Sequence, residues 1–226
     1  APGLDADLGA ALRDVAGGVV ERPAPVPTQA GAGDRLGGLE DLVSALVTMP
    51  AAVSVREVAP DRYVAFLPGP HGGDAQQRLA VGDHTAYAEQ AARAIADAVS
   101  ADARVLLVGY GQGGAGAVEI ATRTGAGFVV DQVVTVRAPA AHVPRVPSHV
   151  RVLSLEERAD PVALLGSLVN ADAANRVTVI FDGGDGLGPD VYVVGARAAD
   201  TADHPAVRAE LDRLRDLGYL SRRDVS

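Results

Sequence analysis

The 226-residue chain has no cysteine, which excludes disulfide frameworks, thiolate metal sites and cysteine nucleophiles. Lysine is absent as well: all 20 basic residues are arginine, set against 29 acidic ones. The resulting net charge of -9 argues against a nucleic-acid-binding face. With abundant Ala, Gly, Val and Asp, the all-arginine complement reads as the product of a GC-rich genome rather than a functional device. No apolar run approaches the ~18 residues of a membrane-spanning helix. No secretory leader is visible, and the first residue is Ala rather than Met; the chain reads as cytoplasmic or as part of a longer exported protein. What is present is a 48% hydrophobic composition, enough for one sizeable core.

The apolar pattern changes period along the chain. Residues 1–50 mix short helical patterns with a Pro-rich break, Arg22-Pro23-Ala24-Pro25-Val26-Pro27, and read as an N-terminal helical extension to a domain at 51–226. Within that extension Leu39, Leu42, Val43, Leu46 and Val47 fall at helical spacing. Alternation then predicts strands at Val53–Val58 and Tyr63–Leu67, the second closed by Pro68-Gly69-Pro70. An Ala-rich helix is predicted at about Thr85–Val99, headed by Asp83-His84-Thr85 as a cap. It is followed by a strand at Val105–Val108 and a helix at about Gln112–Thr124. Further strands are predicted at Val133–Val136, Val150–Leu155 and Val177–Phe181. A closing helix from His204-Pro205 carries Val207, Leu211, Leu214 and Leu217 on one face. Strands alternating with helices imply an α/β fold, doubly wound, with a mainly parallel sheet and helices on both faces.

Chemistry concentrates at Gly109-Tyr110-Gly111-Gln112-Gly113-Gly114, a glycine turn between strand and helix. Gly109, Gly111 and Gly114 satisfy G-x-G-x-x-G, and Asp131 lies about 20 residues on, where a ribose-binding carboxylate would stand. That supports a dinucleotide-binding oxidoreductase. Against it, Asp131 is followed at once by another apolar run, Val133–Val136, and a strand pair and a helix precede the fingerprint.

The second reading draws on motifs along the whole domain. Phe66-Leu67-Pro68-Gly69 resembles the strand and loop that build half of an oxyanion hole. The glycine turn resembles the G-[HY]-S-Q-G-G elbow of bacterial esterases, lipases and cutinase-like enzymes. Val133-Val134-Thr135-Val136-Arg137-Ala138-Pro139 is similar to their V-V-T-x-G-x-P strand. Val152–Glu156 with Asp160-Pro161-Val162 resembles the strand and D-x-V turn of the triad acid, and Asp203-His204-Pro205-Ala206-Val207 resembles a D-P-A-V helix start of actinobacterial members. Together these resemble the α/β-hydrolase fold family over residues 53–220.

That resemblance implies a triad in the order Ser, Asp/Glu, His. Gly111 occupies the nucleophile position and has nothing to attack with. Asp160 occupies the acid position. The loop 182–190, where the histidine belongs, holds Asp182, Asp185 and Asp190 but no His; His204 lies beyond it at a helix start. Of the oxyanion donors, the Gln112 N–H is preserved by backbone geometry, whereas Pro70 has no N–H to give and His71 would have to replace it. Losing nucleophile or base alone removes on the order of 10⁶ in turnover.

The resemblance therefore implies a catalytically inactive, pseudo-esterase/lipase domain that keeps its fold for binding, scaffolding or assembly. Its partner would be a protein or a small hydrophobic ligand in the vestigial cleft. The alternative is an active enzyme of this fold with non-serine chemistry at Asp160, His71 or a loop aspartate. No cofactor is expected. No metal is expected either: His71, Asp74, Asp83 and His84 match no ligand spacing, and Asp182/Asp185/Asp190 lack the alternation and terminal Glu of a calcium loop. Arg213, Arg215, Arg222 and Arg223 read as a solvated face.

Overall fold

A computed structural model describes residues 26–27, 36–49, 53–69, 84–138, 145–160, 174–184 and 188–222. Their elements are β1 (Val26–Pro27), α1 (Leu39–Thr48), β2 (Ser54–Ala59), β3 (Arg62–Leu67), α2 (His84–Ala98), β4 (Arg104–Tyr110), α3 (Gln112–Ala121), β5 (Val129–Val136), β6 (Arg151–Glu157), β7 (Arg176–Phe181), α4 (Pro189–Thr201) and α5 (Pro205–Asp216). The strands form one seven-stranded sheet in the order of the chain. β3 to β7 run parallel, while the tight turn between β2 and β3 makes that pair antiparallel. Asp61 takes a left-handed φ of 55° in this turn, a conformation short polar side chains tolerate. β1 is parallel to β2, so both run against the other five.

That reversal decides which face each helix covers. Right-handed crossovers that step the same way along a sheet lay their helices on one face, and inverting the strands inverts the face. Accordingly α2 and α3 cover one side, and α1, which joins the inverted strands β1 and β2, lies on the other with α4 and α5. Side chains alternate between the two cores. Ala65, Leu67, Val105, Leu107, Val133 and Val152 pack with Ala88, Ile95, Ala117 and Ile120 of α2 and α3. Val64, Phe66, Leu106, Val108, Val134, Leu153 and Leu155 pack with Leu39, Leu42, Leu46, Tyr192, Leu211 and Leu214. The central strands β4 to β6, buried on both faces, are the continuous aliphatic runs seen in the sequence. The architecture is the α/β, doubly wound, mainly parallel sheet that strand–helix alternation implies.

The helix of the N-terminal extension is part of this packing: Leu39, Leu42 and Val43 are fully buried. α1 has no side-chain cap of its own, because its N-cap residue is Gly38. Asp200, at the far end of α4, accepts from the N–H groups of Leu39 (2.8 Å) and Glu40 (2.9 Å) instead. A Cβ on Gly38 would lie 2.4 Å from an Asp200 oxygen, so the missing side chain makes room for the borrowed cap. α4 itself has no counterpart in the sequence reading. Its buried residues Tyr192, Gly195, Ala196 and Ala199 keep helical spacing, but most are small and the helix opens with β-branched Val191, Val193 and Val194.

Candidate functional site

β4 delivers the chain into the glycine turn, and β5 and β6 end beside it. At Gly111 the backbone takes φ 54°, ψ -122°. Its N–H donates to the Val136 carbonyl at 2.8 Å, and its own carbonyl accepts from Gly114 (3.0 Å) and Ala115 (3.3 Å). Strand thus converts to helix across a single residue. The glycines around it are required by crowding: a Cβ on Gly113 would lie 1.9 Å from the Leu67 carbonyl oxygen and one on Gly109 2.4 Å from that of Gly113, while one on Gly114 would lie 2.8 Å from Ala138 Cβ. Gly111 differs. A Cβ there meets nothing within 4 Å, so only the positive φ selects against a side chain. A sharp strand-to-helix turn that aims one residue into open space above a parallel sheet is the geometry of a nucleophile elbow.

The loop after β3 meets this turn. A Cβ on Gly69 would stand 3.1 Å from the Gly113 nitrogen and from the Tyr110 carbonyl oxygen. Pro70 and His71, the other oxyanion candidates, lie outside the described residues, as do Asp74, Asp83, Asp185 and Pro161-Val162. Gln112 is the first residue of α3, so its N–H is one of the amides at that helix's N-terminus. Its side-chain Oε1 is buried with no hydrogen-bond partner among the described residues.

Asp160 follows β6 by three residues and is buried. Arg137 Nε donates to its Oδ2 at 2.5 Å, and the Tyr192 hydroxyl donates to the same oxygen at 3.3 Å. This ion pair raises the Arg137 pKa further, its bond to Asp160 being the largest cause. Burial first, then the Asp160 charge, pushes the Tyr192 hydroxyl upward. Tyr192 stands edge-to-face with Tyr110 (centroids 5.8 Å apart) and with Phe181 (5.4 Å), which fixes its ring. Burial likewise raises the Tyr110 hydroxyl, opposed by its bond to Arg137.

Sequence reasoning missed Arg137, Tyr110 and Tyr192, yet a signal existed for the first. In the V-V-T-x-G-x-P pattern that 133–139 resembles, glycine stands at position 137. Here arginine holds the left-handed conformation, φ 51°, and spends its side chain on Asp160. Glu156, missed as well, is a buried carboxylate on the α3 side of β6, with Oε2 unpartnered among the described residues. Burial, together with the nearby Asp160 charge, pushes it up to about 7 against the opposing pull of Arg176. Next to it on the same face, the Thr135 hydroxyl donates to Ser154 Oγ at 2.9 Å.

Other sequence candidates lie elsewhere. His204 is exposed at the N-cap of α5. Asp182 is exposed and accepts from the Gly184 N–H at 3.0 Å, while Asp190 sits exposed in the first turn of α4. Asp131 is buried inside β5, bound by the Arg104 guanidinium and by the Tyr219 hydroxyl at 2.7 Å. It lies near the start of β5, at the edge of the sheet opposite Gly111, where it cannot meet a ribose on the glycine turn. Arg215, expected on a solvated face, has a side chain only 9% exposed and pairs with Asp212 at 3.0 Å. Among the described residues no group of three or more His, Cys, Asp or Glu is placed to hold a metal ion, and no helix is long and apolar enough to cross a membrane.

No family model matches the chain, and no curated protein does. Several solved structures resemble it distantly. One is Thermogutta terrifontis esterase 2 phosphoramylated by tabun, at 14% identity and a TM-score of 0.43, covering 89% of this chain and 86% of that one. Another is a Lactobacillus plantarum WCFS1 protein assigned as a cell surface hydrolase, at 13% identity and a TM-score of 0.39, covering 86% and 98%. Likenesses of this size say nothing about a site.

Proposed function

We propose that this domain is a hydrolase-like scaffold that no longer hydrolyses and keeps the elbow region for binding or assembly. The observation that carries the reading is the state of the two triad positions at the sheet's C-terminal edge. The elbow is kept in full backbone detail, with three glycines held in place by crowding, while its central residue, Gly111, offers no nucleophile. Opposite it, the acid-position carboxylate is gripped by Arg137 at 2.5 Å and contacted by Tyr192. A carboxylate serves a triad by orienting and charging a histidine. One tied to a guanidinium instead stabilises the loop that carries it and gives an imidazole no preference at that oxygen. Arginine at 137 in place of the pattern's glycine supports this independently, because the strained φ is tolerated for the sake of that grip.

Restoring the nucleophile tests the reading. Gly111→Ser has space for its side chain, so the hydroxyl will stand where an elbow serine stands. The expected result is background hydrolysis of a short-chain p-nitrophenyl ester and no adduct mass after incubation with a fluorophosphonate. Turnover or stoichiometric labelling of the folded variant would show that a working base exists, and would return the domain to the enzymes.

A further inference from the structure

The two edges of the sheet differ in how they are protected. At one edge β1 is two residues long and ends in Pro27, a short, proline-blocked strand of the kind that resists pairing. At the other, β7 is six residues of Arg-Val-Thr-Val-Ile-Phe with no proline and no bulge in its register with β6. Among the described residues it pairs with no other strand, and Ile180 is 48% exposed there. Long, flat, β-branched edges of this type are templates for another strand.

We infer that β7 pairs with β7 of a second copy, antiparallel about a two-fold axis through Val179. The hydrogen-bonding side of each residue is fixed by β6. The carbonyls of Asn175 and Phe181 accept from Val152 (2.9 Å) and Arg158 (2.8 Å), so the odd-numbered residues of β7 turn their backbone groups inward. The even-numbered residues, Arg176, Thr178 and Ile180, turn theirs outward. An isologous pair centred on Val179 sets Thr178 against Ile180 of the second copy, two outward-facing residues that exchange both N–H···O bonds. It also sets Val177 against Phe181, a β-branched residue against an aromatic one.

Charge selects this register over its neighbours. Centring on Val179 places Arg176 directly opposite Asp182 of the second copy, and the symmetry repeats the pair at the other end. Centring on Thr178 sets Arg176 against Ile180, and centring on Ile180 sets it against Gly184; both lose the charge pairs. β7 is thus self-complementary in backbone and apolar contacts, and Arg176 with Asp182 in charge. The occupant it fits is a second copy of this chain, making one continuous sheet across the axis.

Sedimentation velocity across a concentration series tests this with two variants of the full chain. Thr178→Pro removes an outward N–H without touching the β6 ladder. Asp182→Arg sets like charges opposite one another at both ends and is expected to weaken association on the order of tenfold or more. The expected result is a dimer for the unmodified chain and monomers for both variants, each with an unchanged circular dichroism spectrum. A monomer at every concentration for the unmodified chain overturns the proposal, as does a dimer that survives in either folded variant. Should Thr178→Pro fail to fold, Asp182→Arg decides alone, since that side chain is exposed. None of these outcomes depends on whether Gly111→Ser gains activity.

Discussion

Replacing Glu156 by glutamine isolates the energetic consequence of burying an acid that has no full set of partners. The residue is 3% exposed, and its pKa rises from 4.5 to about 7, chiefly through burial, with Asp160 pushing the same way and Arg176 opposing. Between those two values the native protein holds a proton that the unfolded chain has released. Wild-type stability therefore falls as pH rises through this window, whereas below pH ~4.5 both states are protonated and nothing is lost. A shift of that size corresponds to about 3 kcal/mol at full ionisation. Glutamine keeps the shape and stays neutral at every pH. The variant should match wild type near pH 4.5 and exceed it by up to about 3 kcal/mol at pH 8, or about 6–12 °C in Tm for a chain of this size. Urea melts at stepped pH values measure the difference directly. Two stability curves that run parallel from pH 4.5 to 8, or a glutamine variant less stable than wild type at pH 8, would refute the reasoning. Either would mean that the Glu156 carboxylate is already well solvated or well paired when charged.

Three further expectations concern the glycine turn and the Arg137–Asp160 pair. Gly111→Ala meets no atom and should lose only the roughly 1–3 kcal/mol of backbone strain, whereas Gly113→Ala drives a Cβ into the Leu67 carbonyl oxygen and should melt far lower or not fold; comparing the two Tm values checks this. Arg137→Ala leaves the Asp160 carboxylate buried without its guanidinium and should destabilise by more than the ~1 kcal/mol of a surface pair but less than the ~3–5 of a fully buried one, because Arg137 is 41% exposed. Arg137→Gly should be milder than Arg137→Ala by roughly 1 kcal/mol, since glycine accepts the left-handed φ without strain; equal losses in chemical denaturation would contradict this.

Much of this fold is visible in apolar period. The buried strands are short continuous aliphatic runs and the helices α2, α3 and α5 have unmixed helical patterns, and the structure sets them within a few residues of those signals. α4 is hidden because Val191-Tyr192-Val193-Val194 has the local preferences of a strand. Gly195, a poor helix residue, is there because the Phe181 ring lies 2.5 Å from where its Cβ would be. β5 begins four residues earlier than the apolar run suggests. Asp131 and Gln132 interrupt the pattern, and their partners, Arg104, Tyr219 and Glu210, are far away in sequence. The same limit applies at the site. The glycine turn is a local motif and can be read, but the Arg137–Asp160–Tyr192 contact joins three segments that only folding brings together.

The cap that Asp200 lends to α1 has a bearing on how the protein is made. α1 leaves the ribosome well before α4, because the carboxylate that completes its first turn is encoded 161 residues after Leu39. At ~5–20 residues per second, the wait is on the order of 8–30 seconds. During that time the helix has neither its cap nor the α4 face against which it packs, and a ten-residue helix alone is marginal in water. Its apolar stripe, Leu39, Leu42, Val43 and Leu46, is consequently open to chaperones and to misassociation while the chain is incomplete. Nascent chains that stop before position 200 should be caught in that state.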